Sequence, residues 1–264
     1  MTKEFAAFYA CADEMTRNES IKEFSMVEKV NGITVFTVNY KESDKILTLF
    51  TLEKGKITAN ARGVRKANAK SRQIGEPFCF AEIMLAEKSG RYTVTEVSVG
   101  DYFYPIRTDV KKYYAGACAL EFTNAFTQEG LVDSDYFVLL LDFLKNLAYG
   151  DADPKTLLVK FLFDAVNENG YSLTLGACGR CGEIIKDRVF LSLKEGFCVC
   201  DGCRKTGERE FSFPTYTYLL NAASGEETDG AAEETKNNAL KFFGYYILKT
   251  TDVDLKCLKS LIEL

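Results

Sequence analysis

The 264-residue sequence contains no histidine and no tryptophan. Because histidine is absent, the chain cannot form a Ser-His-Asp triad, a Cys-His dyad, or a histidine-ligated zinc or haem site, which excludes much of the enzyme repertoire. Long apolar runs are absent too. The longest, residues 5–12, has eight residues, whereas a helix that crosses a bilayer needs about 20. We therefore expect a cytoplasmic protein with no membrane contact.

Positive charge is in the minority. The chain has 33 lysines and arginines and 38 acidic residues, so its net charge is −5. This balance argues against a protein that coats DNA, unless the basic residues are clustered. Nine cysteines fit a reducing compartment if four of them bind a metal ion and the others stay reduced.

Five segments between residues 33 and 99 have the period of two, or the β-branched and aromatic composition, that is typical of strands. Turn signals such as Gly55 and Gly90 separate them. Five short strands within about 70 residues predict a small closed barrel, with the OB-fold among the leading candidates. We assign residues 29–104 to this barrel and residues 1–28 to an N-terminal extension.

The rest of the chain has helical periodicity. Apolar residues recur at helical spacing after Pro105, and Pro154 occupies a position that favours a helix start. A cysteine-rich insert at residues 176–205 interrupts this part. The predicted fold class is therefore α+β: an N-terminal five-stranded OB-fold barrel followed by an α-helical domain, residues 105–264, with an inserted four-cysteine zinc module.

Two cysteine pairs have the spacing of a zinc site: Cys178-Gly-Arg-Cys181 and Cys200-Asp-Gly-Cys203, with 18 residues between them. Two residues between cysteines allow both sulfurs to reach one ion at about 2.3 Å, and two pairs complete a tetrahedron. A complete tetrahedron leaves no position for a catalytic water, so the predicted zinc is structural. The alternatives are two redox disulfides or four buried thiols, and Cys198 could replace Cys200 as the third ligand.

Seven basic residues lie between residues 54 and 75, a segment that contains no acidic residue. A concentration of positive charge in an otherwise acidic chain predicts a surface that binds a polyanion. The alternative is a solvated charged loop. We predict that DNA is bound by Lys54, Lys56, Arg62, Arg65, Lys66, Lys70 and Arg72.

Three aromatic residues of the predicted barrel are candidates for stacking on bases: Phe36, Tyr40 and Phe50. OB barrels often combine a basic groove with exposed aromatic rings. Packing in the barrel core is the alternative for each of them.

Several segments in the first half of the chain resemble one protein family. They are Gly-Ile-Thr-Val at 32–35, Tyr-Lys-Glu-Ser-Asp-Lys-Ile-Leu-Thr-Leu-Phe-Thr at 40–51, Gly-Lys-Ile-Thr-Ala-Asn-Ala-Arg-Gly-Val-Arg-Lys at 55–66, Lys-Ser-Arg at 70–72 and Pro-Phe at 77–78. In order and spacing they resemble the amino-terminal domain of the RecO family of bacterial DNA repair and recombination mediator proteins. The cysteine insert is similar to the zinc site that many members carry, and residues 240–261 resemble the family's closing helices.

The resemblance implies a recombination mediator and not an enzyme with a chemical step. Members of the family bind single- and double-stranded DNA, anneal strands coated by single-stranded-DNA-binding protein, and act with RecR to help load RecA. By this resemblance the basic segment would face DNA, the helical domain would receive the acidic tail of single-stranded-DNA-binding protein, and RecR would dock near the barrel. A protein of this kind would be associated with the nucleoid.

Two positions depart from the family's pattern. Lys41 lies in the first turn, where the family usually has glycine, and the stretch Glu195-Gly-Phe-Cys198 lacks the glycine pair that usually precedes the second cysteine pair. Two other functions fit the sequence. One is a zinc-stabilised protein-interaction adaptor without a direct role in DNA binding, and the other is a thiol-redox enzyme that uses Cys178 or Cys200.

Overall fold

The computed structural model describes residues 26–69, 71–171, 173–226, 228 and 230–264. Most of the predicted N-terminal extension, residues 1–25, and the predicted DNA ligand Lys70 lie outside the described residues. Within the described ranges, no helix is both long and apolar enough to cross a membrane.

The N-terminal part is a closed barrel of five strands. These are β1 (Met26–Tyr40), β2 (Asp44–Thr51), β3 (Gly55–Ala61), β4 (Phe80–Lys88) and β5 (Arg91–Asp101). The strands are ordered β1-β2-β3-β5-β4, and β4 pairs with β1 to close the barrel. Neighbouring strands are antiparallel except for β3 and β5, which are parallel. The predicted five-stranded, OB-like barrel is confirmed.

The period of two in these strands separates an inner face from an outer face. On β2, Leu47 and Leu49 are fully buried and pack in the barrel core with Ile57 of β3. Thr34 is buried too, and its hydroxyl donates to the carbonyl oxygen of Ile74 at 2.9 Å. This bond secures the long connection between β3 and β4 against the barrel.

Seven helices follow in the described part of the chain. They are α1 (Tyr104–Thr108), α2 (Val110–Phe126), α3 (Ser134–Tyr149), α4 (Pro154–Glu168), α5 (Phe213–Ser224), α6 (Glu233–Thr251) and α7 (Lys256–Glu263). The predicted succession of a barrel and a set of helices is confirmed.

Side-chain caps explain where four of these helices begin. Asp109, Asp133, Asp153 and Ser212 each precede a helix and accept a hydrogen bond from a backbone N–H of its first turn. Such caps satisfy amide groups that have no partner within the helix.

A small three-stranded sheet lies between α4 and α5 in the chain. Its strands are β6 (Val189–Ser192), β7 (Phe197–Cys200) and β8 (Arg209–Phe211), in the order β7-β6-β8. Phe190 and Val199 are buried in an apolar cluster of this unit. The sheet extends past residue 205, the predicted end of the cysteine module, because β8 pairs with β6.

The barrel and the helices share an apolar core. The ring centroid of Phe50 on β2 lies 5.6 Å from that of Tyr136 and 5.8 Å from that of Phe137, both on α3. The start of β3 adds a polar contact, because the N–H of Gly130 donates to the carbonyl oxygen of Lys56 at 3.0 Å. Together these contacts fix the position of the barrel on the helices.

We predict that Gly55→Ala destabilises the protein more than Gly90→Ala does. Both glycines have a left-handed backbone, with φ of +63° and +73°, in which a β-carbon costs about 1–2 kcal/mol. At position 55 the added β-carbon would also lie 1.9 Å from the carbonyl oxygen of Leu131, whereas at position 90 it would meet no atom within 4 Å.

Urea denaturation measures the two losses of unfolding free energy. The loss for Gly55→Ala should exceed that for Gly90→Ala by at least about 2 kcal/mol, because the backbone between α2 and α3 must move. Equal losses would contradict the close contact between the turn and this backbone.

Candidate metal centre and nucleic-acid interface

The four predicted cysteine ligands come together in the structure. The sulfur atoms of Cys178, Cys181, Cys200 and Cys203 all lie within 4.8 Å of one another, and those of Cys181 and Cys200 are 3.9 Å apart. A tetrahedral ion bound by thiolates at about 2.3 Å requires sulfurs about 3.7 Å apart. The cluster therefore fits a metal ion that is held by four thiolates.

Backbone turns bring the two cysteine pairs into this arrangement. In the first pair, the N–H of Gly182 donates to the carbonyl oxygen of Cys178 at 2.8 Å, and Gly182 has a left-handed φ of +77°. The N–H of Gly179 donates to the carbonyl oxygen of Cys198 at 2.9 Å and so joins the first pair to β7. A β-carbon on Gly179 would lie 2.3 Å from the ring of Phe197, so only glycine allows this approach.

Cys198, the alternative third ligand, does not belong to the cluster. Its side chain is fully buried, and this burial raises the pKa of its thiol to about 12. Cys200, at the end of β7, joins the other three cysteines instead. The stretch Glu195-Gly-Phe-Cys198 lacks the family's usual glycine pair, but the same four sulfurs still form the cluster.

The surroundings of Cys178 favour a thiolate. Burial on its own would raise the pKa of this thiol, but the backbone N–H groups of Cys181, Cys200 and Arg180 are directed at its sulfur and lower the pKa to about 6. Only the thiolate form of cysteine binds metal ions. The donor set and its backbone bonds are thus suited to a cation.

Arg180, between the first two cysteines, fastens the module to its own loops. Its guanidinium donates to the carbonyl oxygen of Cys203 at 2.6 Å and to the carboxylates of Glu195 and Glu208. The hydrogen bond from Arg180 lowers the pKa of Glu195 to about 2. The four sulfurs occupy every position of a tetrahedron, so the arrangement supports a structural ion and offers no position for a substrate.

The structure describes six of the seven predicted DNA ligands and does not bring these six together. Lys54 and Lys56 flank the start of β3, whereas Arg62 follows its end. This strand has seven residues, which corresponds to a length of about 20 Å. The basic residues are therefore divided between the two ends of the strand.

The two lysines at the start of β3 have partners inside the protein. The ammonium group of Lys54 lies 2.8 Å from the carboxylate of Glu28, and this bond raises the pKa of Lys54. The ammonium group of Lys56 donates to the carbonyl oxygen of Asn124 on α2 at 2.7 Å, and burial lowers its pKa. Both lysines therefore contribute to the packing of the barrel.

Four of the remaining cations are exposed: Arg62, Arg65, Lys66 and Arg72, here called the loop cations. None of them has a carboxylate within 4.0 Å among the residues that the structure describes. Arg65 and Arg72 line the same cleft, which lies beside Lys45 and Val64.

The β1–β2 turn holds the first part of this loop. The carboxylate of Asp44 accepts the N–H of Gly63 at 2.8 Å, and this bond, with the nearby charges of Lys41 and Arg62, lowers the pKa of Asp44. The guanidinium of Arg65 donates to the carbonyl oxygens of Lys41 and Glu42. The loop cations thus extend from the end of the barrel at which β1 turns into β2.

Lys41 is a further cation at this end of the barrel, and it was not among the predicted DNA ligands. It has a left-handed φ of +52°, so the turn keeps the conformation that glycine usually supplies. Its ammonium group lies 5.2 Å from the ring centroid of Tyr40. One sequence signal could have identified Lys41: it replaces glycine at a turn position. Glycine suits a left-handed turn because of its backbone freedom, so a lysine there suggests a role for the side chain.

The three aromatic candidates for base stacking differ in their burial. Phe50 is fully buried against α3, as the packing alternative proposes. Phe36 and Tyr40 are 51% and 43% exposed, so neither belongs to the barrel core. Both rings lie on β1, the strand that ends at the turn to which Arg65 is bonded.

Comparison with protein families gives two matches, which together cover most of the chain. The family model described as "Recombination protein O N terminal" matches residues 26–103. The model described as "Recombination protein O C terminal" matches residues 107–259. The three residues between the two matches, 104–106, belong to α1.

Several curated proteins are similar over most of their length. A "DNA repair protein RecO" of Streptomyces avermitilis is 33% identical over 212 residues, which are 77% of this chain and 85% of that protein. Proteins of the same description in Streptomyces coelicolor and Clostridium novyi are 33% and 30% identical over 185 and 199 residues. These alignments cover 67% and 74% of this chain, and 74% and 77% of the two relatives. A barrel with a cationic loop, a helical part with a four-cysteine module, and these matches lead to one conclusion: the chain belongs to the RecO family of DNA repair proteins.

Proposed function

We propose that this protein is a recombination mediator that binds single- and double-stranded DNA and catalyses no chemical step. It anneals single strands and, with RecR, helps to load RecA onto DNA that single-stranded-DNA-binding protein has coated. The observation that carries the proposal is the group of loop cations, which are exposed at one end of an OB-like barrel in a chain of net charge −5. Membership of the RecO family supports it.

The mechanism is electrostatic. Two complementary strands repel each other through their phosphates, and each lysine or arginine that neutralises a phosphate also releases a condensed counterion. Cations at one end of the barrel lower this repulsion where two strands meet. The acidic remainder of the protein keeps DNA on that one surface, since it repels the phosphates elsewhere.

Four of the seven predicted DNA ligands have the strongest support in this proposal: Arg62, Arg65, Lys66 and Arg72. They are exposed and have no carboxylate partner among the described residues. Arg65 binds the carbonyl oxygens of Lys41 and Glu42 through one guanidinium nitrogen, so its second terminal nitrogen can still contact a phosphate. Lys70 belongs to the same stretch of sequence. Lys54 and Lys56 are less available, because Glu28 and the backbone of Asn124 already bind their ammonium groups.

We further propose that the ion of the four-cysteine cluster is Zn²⁺. A set of four thiolates is typical of structural zinc sites. Cys178, Cys181, Cys200 and Cys203 would hold the ion, which supplies folding energy to a module with a small apolar core.

The proposed protein partners come from the family resemblance. RecR docks near the barrel, and the helical part receives the acidic tail of single-stranded-DNA-binding protein, while RecA is reached indirectly. The protein acts in the cytoplasm, in association with the nucleoid.

A second candidate function is a zinc-stabilised adaptor that binds other proteins and has no direct role in DNA binding. The acidic net charge favours it. Titration of the protein with single-stranded DNA, without protein partners, distinguishes the two functions, because an adaptor would show no salt-dependent DNA affinity of its own.

We predict that the variant Arg62→Ala/Arg65→Ala/Lys66→Ala binds single-stranded DNA more weakly at every sequence. Each phosphate contact contributes about −0.7 to the slope of log affinity against log salt for single strands. Removal of three contacts should therefore make the slope less steep by about 2, as measured by fluorescence anisotropy between 50 and 200 mM salt, roughly the range over which such binding changes most.

The matched control is Lys145→Ala/Lys160→Ala/Lys259→Ala. These three lysines are exposed on helices α3, α4 and α7, where each lies within 4.0 Å of an aspartate. Their removal changes the net charge by the same amount as removal of three loop cations. The control should keep the slope of the unmodified protein. If both variants change it equally, the effect comes from overall charge, and the assignment to the loop is wrong.

We predict that Cys200→Ser reduces the metal content, whereas Cys198→Ala leaves one ion per chain. Cys200 contributes a sulfur to the cluster and Cys198 does not. Elemental analysis of the purified variants measures the metal. Cys200→Ser should also melt at a lower temperature, since structural zinc stabilises the fold. Full metal content in Cys200→Ser would exclude the proposed ligand set.

A further inference from the structure

Phe36, Val38 and Tyr40 of β1 form a row on the outside of the barrel that does not belong to its core. On β1, Phe36 is paired with Thr48 of β2, and Val38 is paired with Ile46. Leu47, between these two partners, points into the barrel core. Because successive side chains alternate between the faces of a strand, Phe36 and Val38 point outward, and Tyr40 continues the row.

This row remains exposed although the same strand is covered elsewhere. Ile33 and Val35 of β1 are buried in the core that the barrel shares with the helices. Beyond the irregularity between Thr34 and Phe36, the helices no longer cover the strand. Phe36 and Val38 are both 51% exposed. Three large apolar side chains in an exposed row are a recognised sign of a binding surface.

The charges around the row restrict what can bind there. Lys41 follows Tyr40 directly and lies over its ring, and the guanidinium of Arg65 contacts the backbone of the same turn. Arg62 follows the end of β3, next to the turn. A ligand that complements this surface therefore combines flat apolar groups with negative charge. A basic partner or a purely apolar partner lacks this combination.

The spacing of the row suits an unpaired strand. Phe36 and Tyr40 are four residues apart on β1, a distance of about 13.6 Å along the strand. A ring can stack only on a base whose face is free. An extended single strand offers such faces, whereas the bases of a duplex are already stacked on one another.

We propose that Phe36 and Tyr40 form a stacking platform for unpaired bases, with the strand's phosphates directed at Lys41 and the loop cations. The inference rests on the proposed function and adds to it a strand preference. The loop cations bind any nucleic-acid backbone, and the platform adds affinity only where bases are free to leave their stack. Stacking of this kind accepts every base, since each has an aromatic face.

The test compares Phe36→Ala/Tyr40→Ala with the conservative variant Phe36→Tyr/Tyr40→Phe, which keeps both rings. Both side chains are largely exposed, so neither variant removes part of the core, and urea unfolding verifies this. The probes are oligo(dT), an abasic strand of the same length, and a duplex. The abasic strand has the phosphates but offers no base for stacking.

The unmodified protein and the conservative variant should bind oligo(dT) at least about tenfold more tightly than the abasic strand. Phe36→Ala/Tyr40→Ala should lose this difference and keep its salt dependence and its affinity for duplex. Equal binding of the two strands by the unmodified protein would overturn the inference, as would an alanine variant that still prefers oligo(dT). The latter result would place the base contacts elsewhere on the protein.

These outcomes are separate from a failure of the proposed function. If the unmodified protein binds none of the three probes, the proposed DNA-binding function is wrong and the platform is wrong with it. If it binds all three with a steep salt dependence and no preference for bases, only the platform is wrong.

Discussion

The hydrogen bond between the carboxylate of Asp44 and the N–H of Gly63, 2.8 Å long, is the contact on which the distribution of charge depends. It joins the β1–β2 turn to the start of the connection between β3 and β4. The N–H of Arg65 reinforces it by donating to the carbonyl oxygen of Ser43 at 3.0 Å. One acidic side chain thus holds a cationic segment in place before any ligand arrives, which lowers the entropic cost of binding a flexible polyanion. The bond from the Thr34 hydroxyl to the carbonyl oxygen of Ile74 holds the other end of the same connection on the barrel.

The barrel uses its cations in two ways, and their environment decides which. At one end of β3, Lys56 is partly desolvated and bound to the end of α2, where it helps to fix the barrel on the helices. At the other end, Arg62 and its neighbours stay in water without acidic partners among the described residues. In the cysteine module, by contrast, Arg180 and Arg188 both form ion pairs with glutamates, so neither offers an unpaired charge to a ligand.

Local patterns predicted much of this molecule. The period of two located the strands, and the spacing of the cysteines predicted the cluster with only the third ligand open, because both signals act within a few residues. The sequence could not show that Lys54 and Lys56 differ from the loop cations in having partners within the protein. The partner of Lys54, Glu28, lies on another strand. The exposure of Phe36 and Tyr40 was equally hidden, because it depends on where the helices stop covering β1. The choice of Cys200 over Cys198 likewise required the path of β7 in three dimensions.

Photochemical crosslinking of single-stranded DNA to the full-length protein, followed by mass spectrometry of the peptides, tests most directly where the DNA lies. The account predicts crosslinks in peptides that contain residues 36–41 and residues 62–72, and a loss of these crosslinks as salt rises. Crosslinks confined to the helices or to the cysteine module would contradict it.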